Sequence, residues 1–113
     1  MIKIYHNPRC RKSREGLAYL EAAGKDFEVV RYLDDPLTTA QIQALLKALA
    51  LPPLGLVRKN EAIWKSEFKG KELNDAQIVE ALSKYPKLIE RPIVQVGDKA
   101  VIGRPADKIG ELL

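Results

Sequence analysis

Ile2-Lys3-Ile4-Tyr5-His6-Asn7-Pro8-Arg9-Cys10-Arg11-Lys12-Ser13 is the stretch whose reading decides the fold. Its first four residues alternate as a half-buried strand does, while Leu17, Leu20 and Ala23 recur at helical spacing before Gly24 offers a stop. His6 to Ser13 is therefore a polar loop between a strand end and a helix start, with Cys10 at the helix mouth. Unpaired backbone N–H groups and the positive end of the helix dipole favour a thiolate there, and would equally favour a bound oxyanion. Arg9, Arg11, Lys12 and Arg14 add positive charge, and His6 can donate a hydrogen bond across the loop. Each influence lowers the thiol pKa, which makes Cys10 the candidate nucleophile. The competing reading is a buried structural cysteine. His6 and Ser13 read as groups that orient the sulfur, or else as a partly exposed loop histidine and a helix-capping serine. Asn7 reads as a tie that holds the loop through a side-chain to backbone hydrogen bond.

Outward from this stretch, Phe27-Glu28-Val29-Val30-Arg31-Tyr32-Leu33 predicts a second strand, parallel to the first through a right-handed crossover. Asp34-Asp35-Pro36 ends it. Thr38 with Gln41 forms a capping box, and Ile42, Leu45, Leu46 and Leu49 carry a helix to Pro52-Pro53. Leu54 to Arg58 reads as a short helix, followed by a mixed stretch in which Trp64 and Phe68 serve packing. Asn74 with Gln77 caps another helix that presents Ile78, Ala81, Leu82 and Tyr85 and stops at Pro86. Pro92-Ile93-Val94-Gln95-Val96 and Lys99-Ala100-Val101-Ile102 are two alternating runs around Gly97-Asp98, the signature of a hairpin. Beyond Gly103-Arg104-Pro105, a last helix carries Ile109, Leu112 and Leu113. The order β-α-β, helical connection, β-β-α predicts an α/β protein with a thioredoxin-like mixed sheet. With no repeat, linker or low-complexity tract, residues 1–113 are expected to form a single domain.

Composition narrows the chemistry. The 113 residues include one cysteine, so no internal disulfide forms. No apolar stretch approaches the roughly 20 residues of a membrane span, and no signal-peptide pattern follows Met1, so the expected setting is the reducing cytoplasm. With 19 Lys and Arg against 15 Asp and Glu the net charge is +4. That balance suits a small anionic substrate, and no basic run with interleaved aromatics argues for nucleic acid. One His and one Cys are too few for a structural zinc shell. No excess apolar face is left over, and a monomer is expected.

His6-Asn7-Pro8-x-Cys10-x-x-Ser13, Leu56-Val57-Arg58-Lys59-Asn60, Glu90-Arg91-Pro92-Ile93-Val94 and Ile102-Gly103-Arg104-Pro105 together resemble the ArsC family of glutaredoxin-coupled arsenate reductases. Four motifs in the right order, spread over essentially the whole chain, are far more specific than any one of them. The resemblance implies that Cys10 is the nucleophile, that Arg58, Arg91 and Arg104 hold the arsenic oxyanion, and that the Arg91–Pro92 peptide is cis. It also implies glutathione as thiol co-substrate and glutaredoxin as partner, with no bound cofactor. Independently, arginine offers planar, permanently charged forks to such an anion, and each of these three stands at an element boundary. The alternative for each is a surface arginine paired with a carboxylate.

One sulfur also shapes the mechanism. Cys10 would attack arsenic(V), and since no second cysteine can resolve the adduct, reducing equivalents must come from outside. Arsenate reductases of the phosphatase-like type use several cysteines and a Cys-x5-Arg loop, whereas Gly16 stands six residues after Cys10 here. Arg11-Lys12 departs from the small or neutral residues usual between the Cys and Ser of the resembled family, and is expected to change the field at the sulfur. Two alternatives share the fold. One is an Spx-like regulator binding RNA polymerase, whose Cys-x-x-Cys switch cannot form with Ser13 in place. The other is a glutathione-dependent thiol reductase without arsenic specificity.

Overall fold

A computed structural model describes all residues, Met1–Leu113. Four short strands form one sheet in the order β2-β1-β3-β4, with β1 Ile2–Tyr5, β2 Phe27–Val30, β3 Ile93–Val96 and β4 Lys99–Ile102. β1 runs parallel to β2 and antiparallel to β3, and β3 and β4 form the hairpin. This is the thioredoxin-like mixed sheet that the order of elements predicts. The hairpin pairs Val96 with Lys99 across Gly97, whose φ of +61° suits a tight two-residue turn.

The chain divides into two compact units, Met1–Asp35 with Arg91–Leu113, and Pro36–Glu90. In the first, α1 (Arg11–Ala22) follows β1, and a 3-10 helix closes the chain over Ala106–Leu112. Ile4, Leu20, Val94 and Ile109 form its buried centre, with Ile2, Leu17, Tyr19, Phe27 and Leu112 packed against them. A sheet strand, α1, the hairpin and the chain end thus share one apolar core. Ala23 caps α1 from an exposed position, and Gly24 leaves the helix with φ +70°.

The second unit holds α2 (Thr39–Leu49), α3 (Ala62–Glu67) and α4 (Asp75–Lys84), with 3-10 turns at Pro53–Leu56 and Pro86–Leu88. Ile42, Leu45 and Leu46 of α2 and Ile78, Val79, Ala81 and Leu82 of α4 are buried, as the apolar spacing requires. Trp64 stacks on Phe68 at 5.5 Å between ring centroids, and Phe68 meets the edge of Tyr85 at 5.8 Å, so these aromatics do pack. No helix is long and apolar enough to cross a membrane.

Four expectations change. The first strand of the hairpin starts at Ile93 rather than Pro92, which has no N–H to give to a ladder. The second strand ends at Val30 rather than Leu33, because β1 supplies partners only through Tyr5 and the last rung is His6 N–H to the Val30 carbonyl at 3.0 Å. Arg31 to Asp35 turns instead, with the Arg31 carbonyl accepting from Asp34 and Asp35, and Tyr32 is fully buried. The segment after Pro53 is helical only through Leu56, since Val57 bridges Ile89. The last helix is of the 3-10 type, and Leu113 at its end is exposed.

Candidate active site

The local sequence sets the geometry of the thiol. Leaving β1, Asn7 turns the chain: its Oδ1 accepts from Arg9 N–H at 3.0 Å and its carbonyl from Cys10 N–H at 3.0 Å. The side-chain tie expected of Asn7 is therefore present. Cys10 occupies the N-cap of α1 with an extended backbone, φ −96° and ψ 123°, and its carbonyl accepts the first helical bond, from Arg14 N–H. The thiol is partly exposed, so the reading of an inert buried cysteine does not describe it.

His6, Asn7 and Ser13 are all buried. Ser13 lies on the inner face of α1, and its Oγ accepts from Asn7 N–H at 2.9 Å and sits 2.7 Å from His6 Nδ1. The hydroxyl can donate to His6 when that nitrogen is bare. Burial lowers the His6 pKa, with the charges of Arg31 and Arg14 adding to the effect, against an opposing hydrogen bond to Ser13. A neutral imidazole that accepts from Ser13 satisfies every member of this network. The Ser13 side chain is thus neither a helix cap nor a direct partner of the sulfur, and His6 is not an exposed loop histidine. What Ser13 offers the sulfur is its backbone.

Cys10 titrates below its ordinary value. Burial pushes the thiol up, but a hydrogen bond and the charge of Arg91, with the backbone N–H groups of Ser13 and Lys12, pull it down further. The cation acting on the sulfur therefore arrives from the far end of the chain. Three of the four cations near it in sequence are engaged elsewhere: Arg11 and Lys12 are exposed and pair with Glu15 at 3.4 and 3.6 Å, and Arg14 Nη1 donates to the Pro8 carbonyl at 3.0 Å. Arg11 and Lys12 thus share one carboxylate a turn further along the helix.

Arg91 is buried, and the peptide that joins it to fully buried Pro92 is cis. Arg104 is half-buried just beyond β4, where Gly103 N–H donates to the Pro92 carbonyl at 2.8 Å; the Arg104–Pro105 peptide is also cis, a second such bond beside the one expected. His6, Asn7, Cys10, Ser13, Arg91, Pro92 and Arg104 all belong to the first unit.

Arg58 belongs to the second unit. Its backbone N–H donates to the Leu88 carbonyl at 2.7 Å, next to the bridge between Val57 and Ile89. Its Nε approaches Glu61 at 3.8 Å, which meets the carboxylate alternative only loosely, and its Nη1 is buried with no hydrogen-bond partner. That donor keeps capacity for an anion. No three His, Cys, Asp or Glu side chains converge as a metal site would need.

Known proteins match the chain over nearly its whole length. The ArsC family model matches residues 5–112. The uncharacterised protein YfgD of Escherichia coli K12 is 41% identical over 99% of this chain and 96% of its own length. The arsenate reductase of Neisseria meningitidis serogroup B is 38% identical over 99% of this chain and 97% of its own. Among solved structures, the arsenate reductase from Vibrio cholerae superposes with a TM-score of 0.94 at 38% identity, covering 99% of this chain and 97% of that one. The chain belongs to the ArsC family.

Proposed function

We propose that this chain is an arsenate reductase in which Cys10 forms a thiol-arsenate adduct and external thiols supply the electrons. One observation carries the reading: the single sulfur stands at a helix start with a buried guanidinium and two backbone N–H groups favouring its anion. The thiolate attacks arsenic(V); an As–S bond forms, an As–O bond breaks, and the oxygen leaves as water once protonated. Arg91 and the start of α1 stabilise the charge that develops on the oxyanion. Arg58 and Arg104 are assigned to the same oxyanion, as the family motifs imply, and the spare donor on Arg58 suits that role.

Arsenic must then gain two electrons to become arsenite. Cys10 has no second cysteine to pair with. Glutathione joins the arsenic as a second thiol with loss of another water. A glutaredoxin thiol attacks the glutathione sulfur, the two leave as one mixed disulfide, and the electron pair of the broken As–S bond stays on arsenic. Water then cleaves the remaining As–S bond, releasing arsenite and returning Cys10 as a thiol. A lone thiol that must stay reduced also suits the cytoplasm.

Arsenite release, measured with arsenate, glutathione and glutaredoxin, tests the reading. Turnover is expected to need both thiol donors and to vanish in Cys10→Ser. A folded protein with an alkylatable thiol that makes no arsenite would remove arsenate as the substrate, and turnover without glutaredoxin would remove that partner.

A further inference from the structure

We propose that Gly16 is a positioning residue: the notch left by its missing side chain seats the Pro92 ring against α1 and thereby sets Arg91 against the sulfur of Cys10. Gly16 lies on the buried face of α1 with Ser13 and Leu20, one turn beyond the residue whose N–H faces the thiol. A glycine inside a helix costs about 1 kcal/mol relative to alanine. Nothing in the helical backbone at this position requires it, so the reason lies in what approaches.

A Cβ at position 16 would stand 2.6 Å from Pro92 Cγ and 3.3 Å from Pro92 Cβ. Carbon atoms settle at about 3.5–4.0 Å, so the ring would have to retreat by about 1 Å. A proline ring cannot swing aside as a flexible side chain does, and Pro92 is fully buried. Gly103 comes up to the same ring atom: a Cβ there would meet Pro92 Cγ at 3.2 Å and Ile109 Cδ1 at 3.1 Å. The Pro92 carbonyl is held by Gly103 N–H. Two glycines thus hold one ring, and the residue joined to that ring is the one that hydrogen-bonds the sulfur. Displacement of Pro92 passes directly to Arg91.

The inference rests on the proposed function only in taking Cys10 as the reacting group. Its test is the rate of Cys10 alkylation by iodoacetamide as a function of pH, with folding followed by circular dichroism. Gly16→Ala is expected to move the midpoint up and to slow the rate at pH 7 on the order of tenfold, as the loss of a charged partner does. Combined with Arg91→Ala it should add nothing, because both changes remove the same contact. Gly103→Ala presses the same ring more gently and has the Ile109 side chain to yield, so it should give a smaller shift in the same direction. That variant also decides the matter if Gly16→Ala does not fold. Ala18→Gly, on the exposed side of the same helix, should lower the melting temperature without moving the profile. A folded Gly16→Ala or Gly103→Ala protein with the wild-type profile would overturn the inference, as would a full additive effect beside Arg91→Ala. Alkylation needs no arsenate, so a protein that shows these shifts but makes no arsenite would fail the proposed function alone.

Discussion

The starts of α1, α2 and α4 all have an N-cap with extended backbone, but the first differs from the other two in chemistry. At α2, Thr38 Oγ1 accepts from Gln41 N–H at 3.1 Å while Gln41 Oε1 accepts from Thr38 N–H at 2.8 Å. Asn74 and Gln77 do the same for α4 at 2.8 and 2.9 Å. Both boxes occupy N–H groups that a helix cannot satisfy by itself. At α1 the N-cap is Cys10, which makes no side-chain cap bond. Its first turn also begins with Arg11 and Lys12, cations at the positive end of the dipole, where α4 has Asp75. Two helix starts are built for stability. The third leaves its N–H groups for an anion.

Turning the third start into the kind found at the other two should have the largest effect. Cys10→Ser supplies the neutral oxygen that helix starts prefer and removes the nucleophile. Arsenite formation is expected to fall below detection, while stability in urea, measured in acid where the wild-type thiol is protonated and adds no charge-linked stability, rises by about 0.5–1 kcal/mol. A loss of activity accompanied by a loss of stability would mean that the thiol itself holds the loop together, and that α1 is not an uncapped helix.

Arg91→Ala keeps the nucleophile and removes the cation that favours its charged form. Turnover is expected to drop about 10²- to 10³-fold, in line with removal of one oxyanion-stabilising donor. The pH dependence gives a second reading. The folded thiol titrates below its unfolded value, so between the two values the folded state binds fewer protons. The stability contributed by the thiolate is therefore present above the unfolded value of about 8.5 and is lost as pH falls through the folded one. Measured against Cys10→Ala, wild type should gain stability as pH rises through that window, and Arg91→Ala should gain less. An equal gain in both would place the activating charge on the neighbouring cations after all.

Ser13→Ala tests whether the loop before α1 is held from within. The change leaves buried Asn7 N–H and His6 Nδ1 without the oxygen they share, which costs about 1–3 kcal/mol. A serine acting only in the first turn of a helix would cost a few tenths. Thermal melts of Ser13→Ala beside His6→Ala distinguish these, because a shared network gives less than additive losses.

What could be read from the chain alone follows from how local each signal is. The capping boxes, the Gly97-Asp98 turn and the strand-loop-helix around Cys10 depend on residues within a few positions, and all are present. The length of β2 was not legible, because it is set by where β1 stops offering partners. α3 escaped because six residues, Ala62–Glu67, carry too little periodicity, and Trp64 reads as packing in either state. At the site, position drew attention to Cys10, but charge next to it in sequence was a poor guide to charge next to it in space. Arg11 and Lys12 reach Glu15, while Arg91 reaches the sulfur. The Ser13 hydroxyl looks like a cap in the sequence, and only the fold of the loop shows it turned to His6. Gly16 left a legible trace, a glycine within a helical pattern, without any hint of what fills its notch.

The smallest effect is expected at the two boxed starts. Asn74→Ala removes the oxygen that accepts from Gln77 N–H and frees the Gln77 side chain from its return bond, which should cost about 1 kcal/mol. Both bonds are exposed, so water replaces part of what is lost. Because this cap carries no reacting group, the alkylation profile of Cys10 and the rate of arsenite formation should stay at wild-type values, with only the thermal midpoint moving. Thr38→Ala should behave alike. If either change instead shifted the Cys10 profile, the division of labour between helix starts would fail, since a cap built for stability would then be governing the charge on the sulfur.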